Sequence, residues 1–348
     1  MYFNYSQTRY EDSVTQGGYN PLDSVYNYEP VSNQLTDDEE KYILGAQGNV
    51  WTEYINNESK LEYSIFPRMI ALSEVLWTPK NKKNWNDFAN RLPKIFERLQ
   101  MQKINYSNAY YDLQSSILPT DDHKGVLWKL ASVCNECKIL LKENEPGDSV
   151  SAITSYYSDP IKFESFPFQG MTAYLINDKN DTLSHNSIKL NFNKATGKII
   201  TLTTPPSFKY PGNGAFTLVD GIQNEKGLTR SSEFIGFNGS DCEAIIDMGN
   251  TEEITNVKVH TLNLPSNWIW RPQTVEVFIS GDDKNFTKAG STDDFIKKEN
   301  ANGIMVVNFT TTSCRYLKIK ITNWGKIPQD SPGEGKPAWL LIDELAVE

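Results

Sequence analysis

The stretch LGAQGNVWTEY, residues 44–54, ends a run of small and apolar residues with an indole and a carboxylate two positions apart. Side chains at positions i and i+2 of a β-strand point to the same face. If residues 41–51 form a buried strand, Trp51 and Glu53 lie side by side at its carboxyl end. This arrangement predicts a binding surface with an apolar wall and a charged hydrogen-bond acceptor.

The first five residues, MYFNY, predict a second strand on which Tyr2 and Asn4 share a face. Neighbouring parallel strands of a (β/α)8 barrel converge at one mouth, where the sites of such barrels are built. A pyranose needs an apolar wall for its C–H face and fixed acceptors for its hydroxyls, and Trp51 and Glu53 supply both. The alternative from spacing alone is a core Trp and an unrelated Glu at a helix N-terminus, where negative charge is favourable.

The bulk composition limits the classes of function. A chain of 348 residues is too long for one compact core, which favours two or three domains. The formal net charge of −10 argues against a nucleic-acid partner, because phosphate binding needs a basic face. No apolar run approaches the roughly 20 residues of a membrane-spanning helix. Aromatic residues make up 12% of the chain, which suits sugar faces as well as cores.

Residues 1–105 follow the strand, loop, strand, helix, helix order of parallel α/β structure. Thr36 followed by Glu39 three positions later predicts a helix start. A helix over LEYSIFPRMIALSEVLW (61–77) has Pro67 in its first turn or is kinked there. A further helix carries one apolar stripe, formed by Trp85, Phe88, Leu92, Ile95, Phe96 and Leu99.

Beyond about residue 110, short alternating stretches separated by turn clusters predict all-β structure. One small β-sandwich is expected over residues 115–203 and a second β-sandwich over 205–348. The Pro- and Gly-rich stretch TPPSFKYPGNG (204–214) separates them. The predicted fold class is therefore multidomain, with α/β structure over residues 1–110 followed by two all-β domains.

Four cysteines occur in the chain, two of them in the sequence CNEC as Cys134 and Cys137. This spacing is that of zinc ligands, but no second Cys or His pair accompanies it. The surrounding alternating apolar segment favours buried or strand thiols over a metal site.

Four blocks in residues 1–110 resemble the end of the catalytic barrel of glycoside hydrolase family 20, the β-N-acetylhexosaminidases. They are YFNY, PLDSVYNYEP, LGAQGNVWTEYI and FPRMIALSEVLWT, in that order along the chain. The resemblance implies that this segment forms strands seven and eight of the barrel with their helices. It also implies that Tyr2 hydrogen-bonds the acetamido oxygen of the substrate, that Trp51 floors the non-reducing-end subsite and that Glu53 binds the outer hydroxyls. Asn4 stands where the family often has Asp and would bind a hydroxyl without the charge.

The family mechanism is substrate-assisted and retaining, without a metal or other catalytic cofactor. The acetamido oxygen attacks the anomeric carbon, a Glu protonates the leaving oxygen and an adjacent Asp orients the acetamido group. Here Asp-Glu occurs only as Asp38-Glu39, interpreted as the acidic first turn of a helix, and as Asp343-Glu344, interpreted as a β-domain edge. Neither pair has the context of the family's catalytic pair. No catalytic residue is therefore assigned, and the chain alone is predicted to be inactive.

The resemblance also predicts what the chain needs from elsewhere. Two strands cannot close an eight-stranded barrel and would leave open edges. The missing barrel half is expected upstream. Within this chain, residues 1–110 are expected to be poorly ordered, to pack against the β domains or to be completed by self-association with another copy. The implied parent enzyme is a bacterial-type hydrolase of N-acetylhexosamine-containing glycans, and its implied location is periplasmic, cell-surface or secreted.

Five blocks in residues 205–348 are similar to a discoidin-like domain (coagulation factor 5/8 C-type), the fold of carbohydrate-binding module family 32. They are AFTLVDGI, AIIDMGNTEEITNVKVHTL, RPQTVEVFISGDDKNF, CRYLKIKI and WLLIDELAV. Such domains often carry a structural calcium, for which Asp220 and Glu344 are the side-chain candidates. The alternative is a turn-forming Asp and a solvated Glu.

Loop aromatics of the same segment are candidates for a glycan platform. They are Trp268, Trp270 and Trp324, together with Arg271. Trp268 and Trp270 share a face if the backbone there is extended, whereas the alternative is that a Trp plugs the end of the sandwich. The whole protein is then either the hexosaminidase portion described above, or a glycan-binding or spacer protein acting through this domain. The three histidines, at 123, 185 and 260, show no triad-like surroundings.

Overall fold

A computed structural model describes residues 1–8, 16–134, 136–143, 154–164 and 170–348. The described chain consists mostly of β-sheets with few helices. It divides into two compact units. Unit 1 comprises Met1–Leu113, Ser132–Cys137 and Leu175–Ser184, and unit 2 comprises Gln114–Ala131, Lys138–Tyr174 and His185–Glu348. The domain boundaries expected from the sequence, 1–110, 115–203 and 205–348, stay predictions.

Unit 1 begins with short parallel strands. Strand β1 (Tyr5–Ser6) pairs in parallel with β2 (Gln16–Tyr19), and Tyr2 forms an isolated parallel bridge with Asn49. The predicted strand over residues 41–51 is wrong, because only Asn49 pairs and Leu44 is 97% exposed. The residues on either side of Asn49 form no β-ladder with a neighbouring strand. The side chains of this segment therefore do not alternate between a buried and an exposed face.

The α-helices in the described part of unit 1 are α1 (Leu22–Tyr26), α2 (Asp37–Glu40), α3 (Glu58–Ile65), α4 (Arg68–Trp77) and α5 (Trp85–Met101). The predicted start of α2 is confirmed, since Thr36 N and Oγ1 both donate to Glu39 Oε2, at 2.9 and 2.8 Å. Pro67 stands directly before α4, so the single predicted helix is two helices. The stripe on α5 is confirmed by its buried residues, which are Phe88, Ala89, Leu92, Phe96 and Leu99.

Two smaller sheets lie in the middle of the chain. The first is antiparallel, with the order β3 (Gln114–Pro119), β4 (Val126–Ala131) and β7 (Ile161–Phe163). The second has the order β6 (Thr154–Tyr156), β5 (Lys138–Glu143), β8 (Met171–Ile176) and β9 (Thr182–Ile188). Trp128 on β4 is fully buried, and its Nε1 donates to Ser115 Oγ at 2.7 Å. A buried indole whose N–H is satisfied fixes β4 against β3.

The C-terminal part of unit 2 is one antiparallel sheet of eight strands. They are β10 (Ile199–Leu202), β11 (Ile235–Asn238), β12 (Cys242–Leu262), β13 (Thr274–Ser280), β14 (Thr287–Thr292), β15 (Ile296–Lys297), β16 (Asn302–Thr322) and β17 (Trp339–Val347). The main order is β11-β17-β12-β16-β13-β14, with β10 beside β12 and β15 beside β16.

The two longest strands, β12 and β16, fold this sheet around its own core. Their pairing register shifts after Asp247 and after Ile254, and such irregularities bend a strand. Ile246 and Val257, from the two halves of β12, are both fully buried in one core cluster. Both halves of the sheet therefore cover the same core, which gives the predicted sandwich architecture.

The cysteine prediction is wrong for the CNEC sequence. Cys134 and Cys137 form a disulfide with a Cα–Cα distance of 5.4 Å. Both lie in the connection between β4 and β5 rather than on a strand. Strand pairing therefore does not fix the distance between the two side chains. Cys242 and Cys314 are buried free thiols. Within the described residues, no helix combines the length and the apolar character needed to cross a bilayer.

Candidate functional site

The N-terminal segment brings Tyr2 next to the stretch that ends in Trp51. Phe3 N donates to Asn49 O and Asn49 N donates to Met1 O, both at 2.7 Å. Tyr2 is 43% exposed and Trp51 is 60% exposed. Both rings are therefore accessible within unit 1, on adjacent stretches of backbone.

Two predicted same-face relationships are wrong. Residues 3 and 4 form a turn between the Tyr2 bridge and β1, so Asn4 is buried while Tyr2 is exposed. Trp51 caps a short 3-10 helix, Thr52–Tyr54, that contains Glu53, so these two side chains are not on one strand. In both pairs the extended backbone ends before the second residue, so the two side chains do not share a strand face. Glu53 is exposed.

Two glycines allow aromatic rings to pack beside this segment. A Cβ on Gly48 would lie 2.5 Å from the ring of Phe3, and one on Gly18 would lie 2.5 Å from the ring of Tyr5. The Tyr5 ring in turn lies 5.3 Å from that of Tyr2, centroid to centroid. Any larger residue at these glycines would displace rings that support Tyr2.

Arg68 was not among the residues predicted from the sequence. This side chain is fully buried, and its guanidinium donates to the backbone carbonyls of Phe3, Tyr5, Asn20 and Ser64. A signal was present in the sequence, since Arg68 is the one charged residue in the run SIFPRMIAL. A buried cation in an apolar run requires dedicated hydrogen-bond acceptors.

In unit 2, Asp220 and Glu344 lie close together in the interior, which excludes the solvated Glu of the alternative interpretation. Asp220 is 8% exposed and Glu344 is fully buried. Glu344 Oε2 accepts from the N–H of Gly221 at 3.2 Å, and its Oε1 accepts from Asn193 Nδ2 at 2.8 Å. Burial raises the pKa of Asp220 well above its usual range. Burial and the charge of Asp220 also raise the pKa of Glu344 well above its usual range.

These two carboxylates fit a hard cation such as Ca²⁺, because an ion would neutralise charge that burial destabilises. Among the residues that the structure describes, no three His, Cys, Asp or Glu side chains are grouped as a metal site. A cation would therefore take its remaining ligands from carbonyl, amide or hydroxyl oxygens, which Ca²⁺ accepts.

Asp343 is not at a domain edge as predicted. It is fully buried on β17, which lies between β11 and β12. Its carboxylate lies 2.7 Å from His260 Nδ1 and accepts from Asn224 N at 2.6 Å. No local pattern in the sequence indicates this buried pair, because 83 residues separate its two members.

The predicted aromatic loop residues divide into one exposed and two packed side chains. Trp268 is 40% exposed and has the left-handed backbone conformation, with φ 64°. Its backbone is thus not extended, so the condition for a shared face with Trp270 is not met. Trp270 and Trp324 pack together with ring centroids 5.4 Å apart, and Trp324 Nε1 donates to Arg271 O at 2.8 Å. An αL conformation is rare for a bulky residue and is found disproportionately at functional sites.

Comparison with known proteins bears on the segment around Tyr2 and Trp51. Residues 1–80 match the family model described as "Glycosyl hydrolase family 20, catalytic domain". The predicted resemblance to this family is confirmed.

Curated hexosaminidases are similar to parts of the chain. A beta-hexosaminidase of Porphyromonas gingivalis is 43% identical over 95 residues, 27% of this chain. A beta-N-acetylhexosaminidase of Cellulomonas fimi is 28% identical over 92 residues, and a beta-hexosaminidase of Vibrio furnissii is 39% identical over 64 residues. The chain spans 12%, 18% and 10% of the lengths of these three relatives.

Solved structures are also similar to this chain, at low TM-scores. The C-terminal domain of a chitobiase from Bacteroides fragilis is 24% identical, with 44% of this chain and 95% of that chain covered and a TM-score of 0.31. The lectin domain of lectinolysin, complexed with Lewis B antigen, is 18% identical, with 46% and 97% covered and a TM-score of 0.31. The sandwich architecture given above follows from the sheet topology rather than from these likenesses.

Proposed function

We propose that this chain is part of a glycoside hydrolase that carries a carbohydrate-binding domain. The activity is that of a retaining, substrate-assisted β-N-acetylhexosaminidase that removes terminal N-acetylhexosamine from glycans. Residues 1–110 belong to the end of its catalytic barrel. The observation that supports this proposal is the parallel bridge between Tyr2 and Asn49, inside the segment that matches the family model.

The residues of this half-site have distinct proposed roles. The Tyr2 hydroxyl donates to the acetamido oxygen and keeps it directed at the anomeric carbon. Trp51 covers the C–H face of the terminal sugar, and the Glu53 carboxylate accepts hydrogen bonds from its outer hydroxyls. The buried position of Asn4 leaves it supporting this edge rather than contacting sugar.

Within the described residues, we assign no side chain as the acid that protonates the leaving oxygen. The Glu39 carboxylate is engaged by Thr36 at the start of α2, and Asp343 and Glu344 are fully buried. The barrel strands that supply the acid come from the rest of a longer protein or from another copy of the chain. The Cys134–Cys137 disulfide supports a periplasmic, cell-surface or secreted location, because disulfides persist in oxidising compartments.

Hydrolysis of 4-nitrophenyl N-acetyl-β-glucosaminide tests this proposal. We expect activity from a protein extended upstream through the missing strands and none from this chain. In the extended protein, Glu53→Ala and Trp51→Ala should lower kcat/KM, whereas Glu58→Ala, a matched exposed glutamate, should not. Activity of the short chain that survives Glu53→Ala would contradict the half-site.

A second candidate function is glycan binding by the C-terminal sandwich, favoured by the exposed Trp268 in its αL turn. Affinity electrophoresis of this chain in gels containing glycans with N-acetylhexosamine termini tests it. Trp268→Ala should abolish retardation, and Trp77→Ala, which removes another exposed indole, should leave it unchanged. Equal retardation of the wild-type chain with and without glycan would favour a spacer role.

We also propose that Asp220 and Glu344 hold a structural calcium. The ion would supply positive charge to two buried carboxylates and so tie the turn after Asp220 to β17. It takes no part in the hydrolysis.

A further inference from the structure

The guanidinium of Arg68 joins three separate segments of unit 1. Nη1 donates to Tyr5 O at 3.1 Å and to Asn20 O at 2.9 Å, and Nη2 donates to Phe3 O and Ser64 O. These acceptors lie on or next to β1, directly after β2 and in α3. One side chain thus holds the ends of two parallel strands and one helix.

The chemistry of this contact is specific to arginine. Burying a cation is costly unless its hydrogen bonds are satisfied, and the planar guanidinium offers five donors in a fixed fork. A lysine ammonium keeps the charge but is a point donor and cannot reproduce that fork. The face of the Arg68 guanidinium is also covered by the ring of Phe3, 5.1 Å from its centroid.

A short chain of contacts leads from Arg68 to Tyr2. Asn20 accepts from Arg68 through its backbone carbonyl, and its side-chain Nδ2 donates to Tyr2 O at 3.1 Å. On the other side, Phe3 follows Tyr2 directly, and its ring packs where Gly48 leaves space. The backbone of Tyr2 is therefore held through Asn20 and through Phe3, both of which bind Arg68.

We propose that Arg68 is a positioning residue for the sugar site, acting through Asn20 on Tyr2. It does not touch the sugar. It sets where the Tyr2 hydroxyl lies relative to the acetamido oxygen and hence how that oxygen approaches the anomeric carbon. This inference rests on the function proposed above.

A double-mutant cycle in the longer protein that carries the missing barrel strands separates positioning from general stabilisation. The single variants are Arg68→Lys, Asn20→Ala and Tyr2→Phe. The two double variants combine Tyr2→Phe with Arg68→Lys and with Asn20→Ala. Hydrolysis of 4-nitrophenyl N-acetyl-β-glucosaminide is measured well below each variant's melting temperature. Asn33→Ala, at an exposed asparagine elsewhere in unit 1, is the matched control.

Each single variant is expected to lower kcat by about 10- to 100-fold, because small misplacements of reacting groups cost that much. The expected signature is non-additivity: once Tyr2→Phe has removed the hydroxyl, Arg68→Lys and Asn20→Ala should cost little more. A purely structural role would give additive losses or only a lower melting temperature.

The other outcomes are decisive as well. Asn20→Ala keeps the carbonyl that Arg68 binds and removes only the link to Tyr2, so it tests the inference even if Arg68→Lys does not fold. Additive effects, or Asn20→Ala with the same kcat as Asn33→Ala, would overturn it while leaving the proposed function intact. A wild-type extended protein without activity would overturn the proposed function and this inference with it.

Discussion

Arg315 binds Asp247 through two parallel hydrogen bonds, from Nε to Oδ1 and from Nη2 to Oδ2, each at 2.9 Å. The pair joins β16 to β12 where the register of these strands first shifts. Hydrogen bonds from Arg315 lower the pKa of Asp247. A two-point contact of this kind restricts both strands where their regular ladder is interrupted.

The stability of unit 2 should depend on pH through this pair. Because the folded-state pKa of Asp247 is depressed, its contribution is present above the unfolded pKa of about 3.9 and is lost as the pH falls through the folded value. Asp247→Asn should lower the free energy of unfolding at pH 7 by up to about 1 kcal/mol. Urea titrations at pH 7 and at about pH 2 measure this change in the free energy of unfolding. The exposed Asp294→Asn is the control, and an equal Asp247→Asn penalty at both pH values would contradict the prediction.

Core packing should dominate the stability of the C-terminal sandwich. Ile246→Ala removes a fully buried side chain shared by both halves of the folded sheet, and the expected loss is about 2–5 kcal/mol. Ile296→Ala makes the same change at a position that is 51% exposed and should cost far less. Chemical denaturation of the two variants provides the comparison. Similar losses for both would mean that the cluster around Ile246 does not support the fold.

Calcium should raise the melting temperature of this chain. An ion that binds only the folded state adds about 2.7 kcal/mol when it is present at 100 times its Kd. Differential scanning calorimetry with CaCl2, with MgCl2 and with EDTA measures the effect. Glu344→Gln should abolish the response to calcium, whereas Glu276→Gln, which removes a carboxylate paired with Lys288 on the same sheet, should retain it. The absence of any calcium effect on the wild type would remove the proposed site.

Cysteine reactivity should separate the two kinds of cysteine. After reduction of the folded chain, an alkylating reagent should label Cys134 and Cys137 but spare Cys242 and Cys314. The latter two are buried, and burial raises the pKa of both thiols, which suppresses the reactive thiolate. Mass spectrometry of peptides reports the sites. Labelling of the same two residues without a reductant would show that the disulfide is absent.

Gly333 should control the exposed indole of the sandwich. Its φ is 85°, and a Cβ there would lie 2.4 Å from Trp268 Nε1. Gly333→Val should therefore displace the Trp268 indole, shift its fluorescence and lower the melting temperature. Gly335→Val is the matched control, because its φ of 72° is equally unfavourable for a side chain but nothing lies within 4 Å of its Cβ position. Identical fluorescence changes in the two variants would contradict this packing.

Local patterns in the sequence were sufficient where burial repeats at short range. The apolar stripe of α5 was predictable because residues three and four apart on a helix face the same neighbour. The capping of α2 by Thr36 and Glu39 was predictable because all its partners lie within four consecutive residues. The strands of the sandwich were predictable from alternation and turn signals, and the family resemblance of residues 1–80 from ordered blocks of sequence.

What the sequence by itself determined is the apolar stripe of α5, the capped start of α2, the strands of the C-terminal sandwich and the identity of Tyr2, Trp51 and Glu53 as candidates. Only the tertiary structure decided that Leu44 is exposed, that Glu344 is buried beside Asp220 and that Arg68 holds the strand next to Tyr2. These outcomes depend on pairing between segments far apart in the chain. Whether a strand continues, and whether a charge is buried, depends on the partner that supplies its hydrogen bonds, and no local pattern of residues specifies that partner.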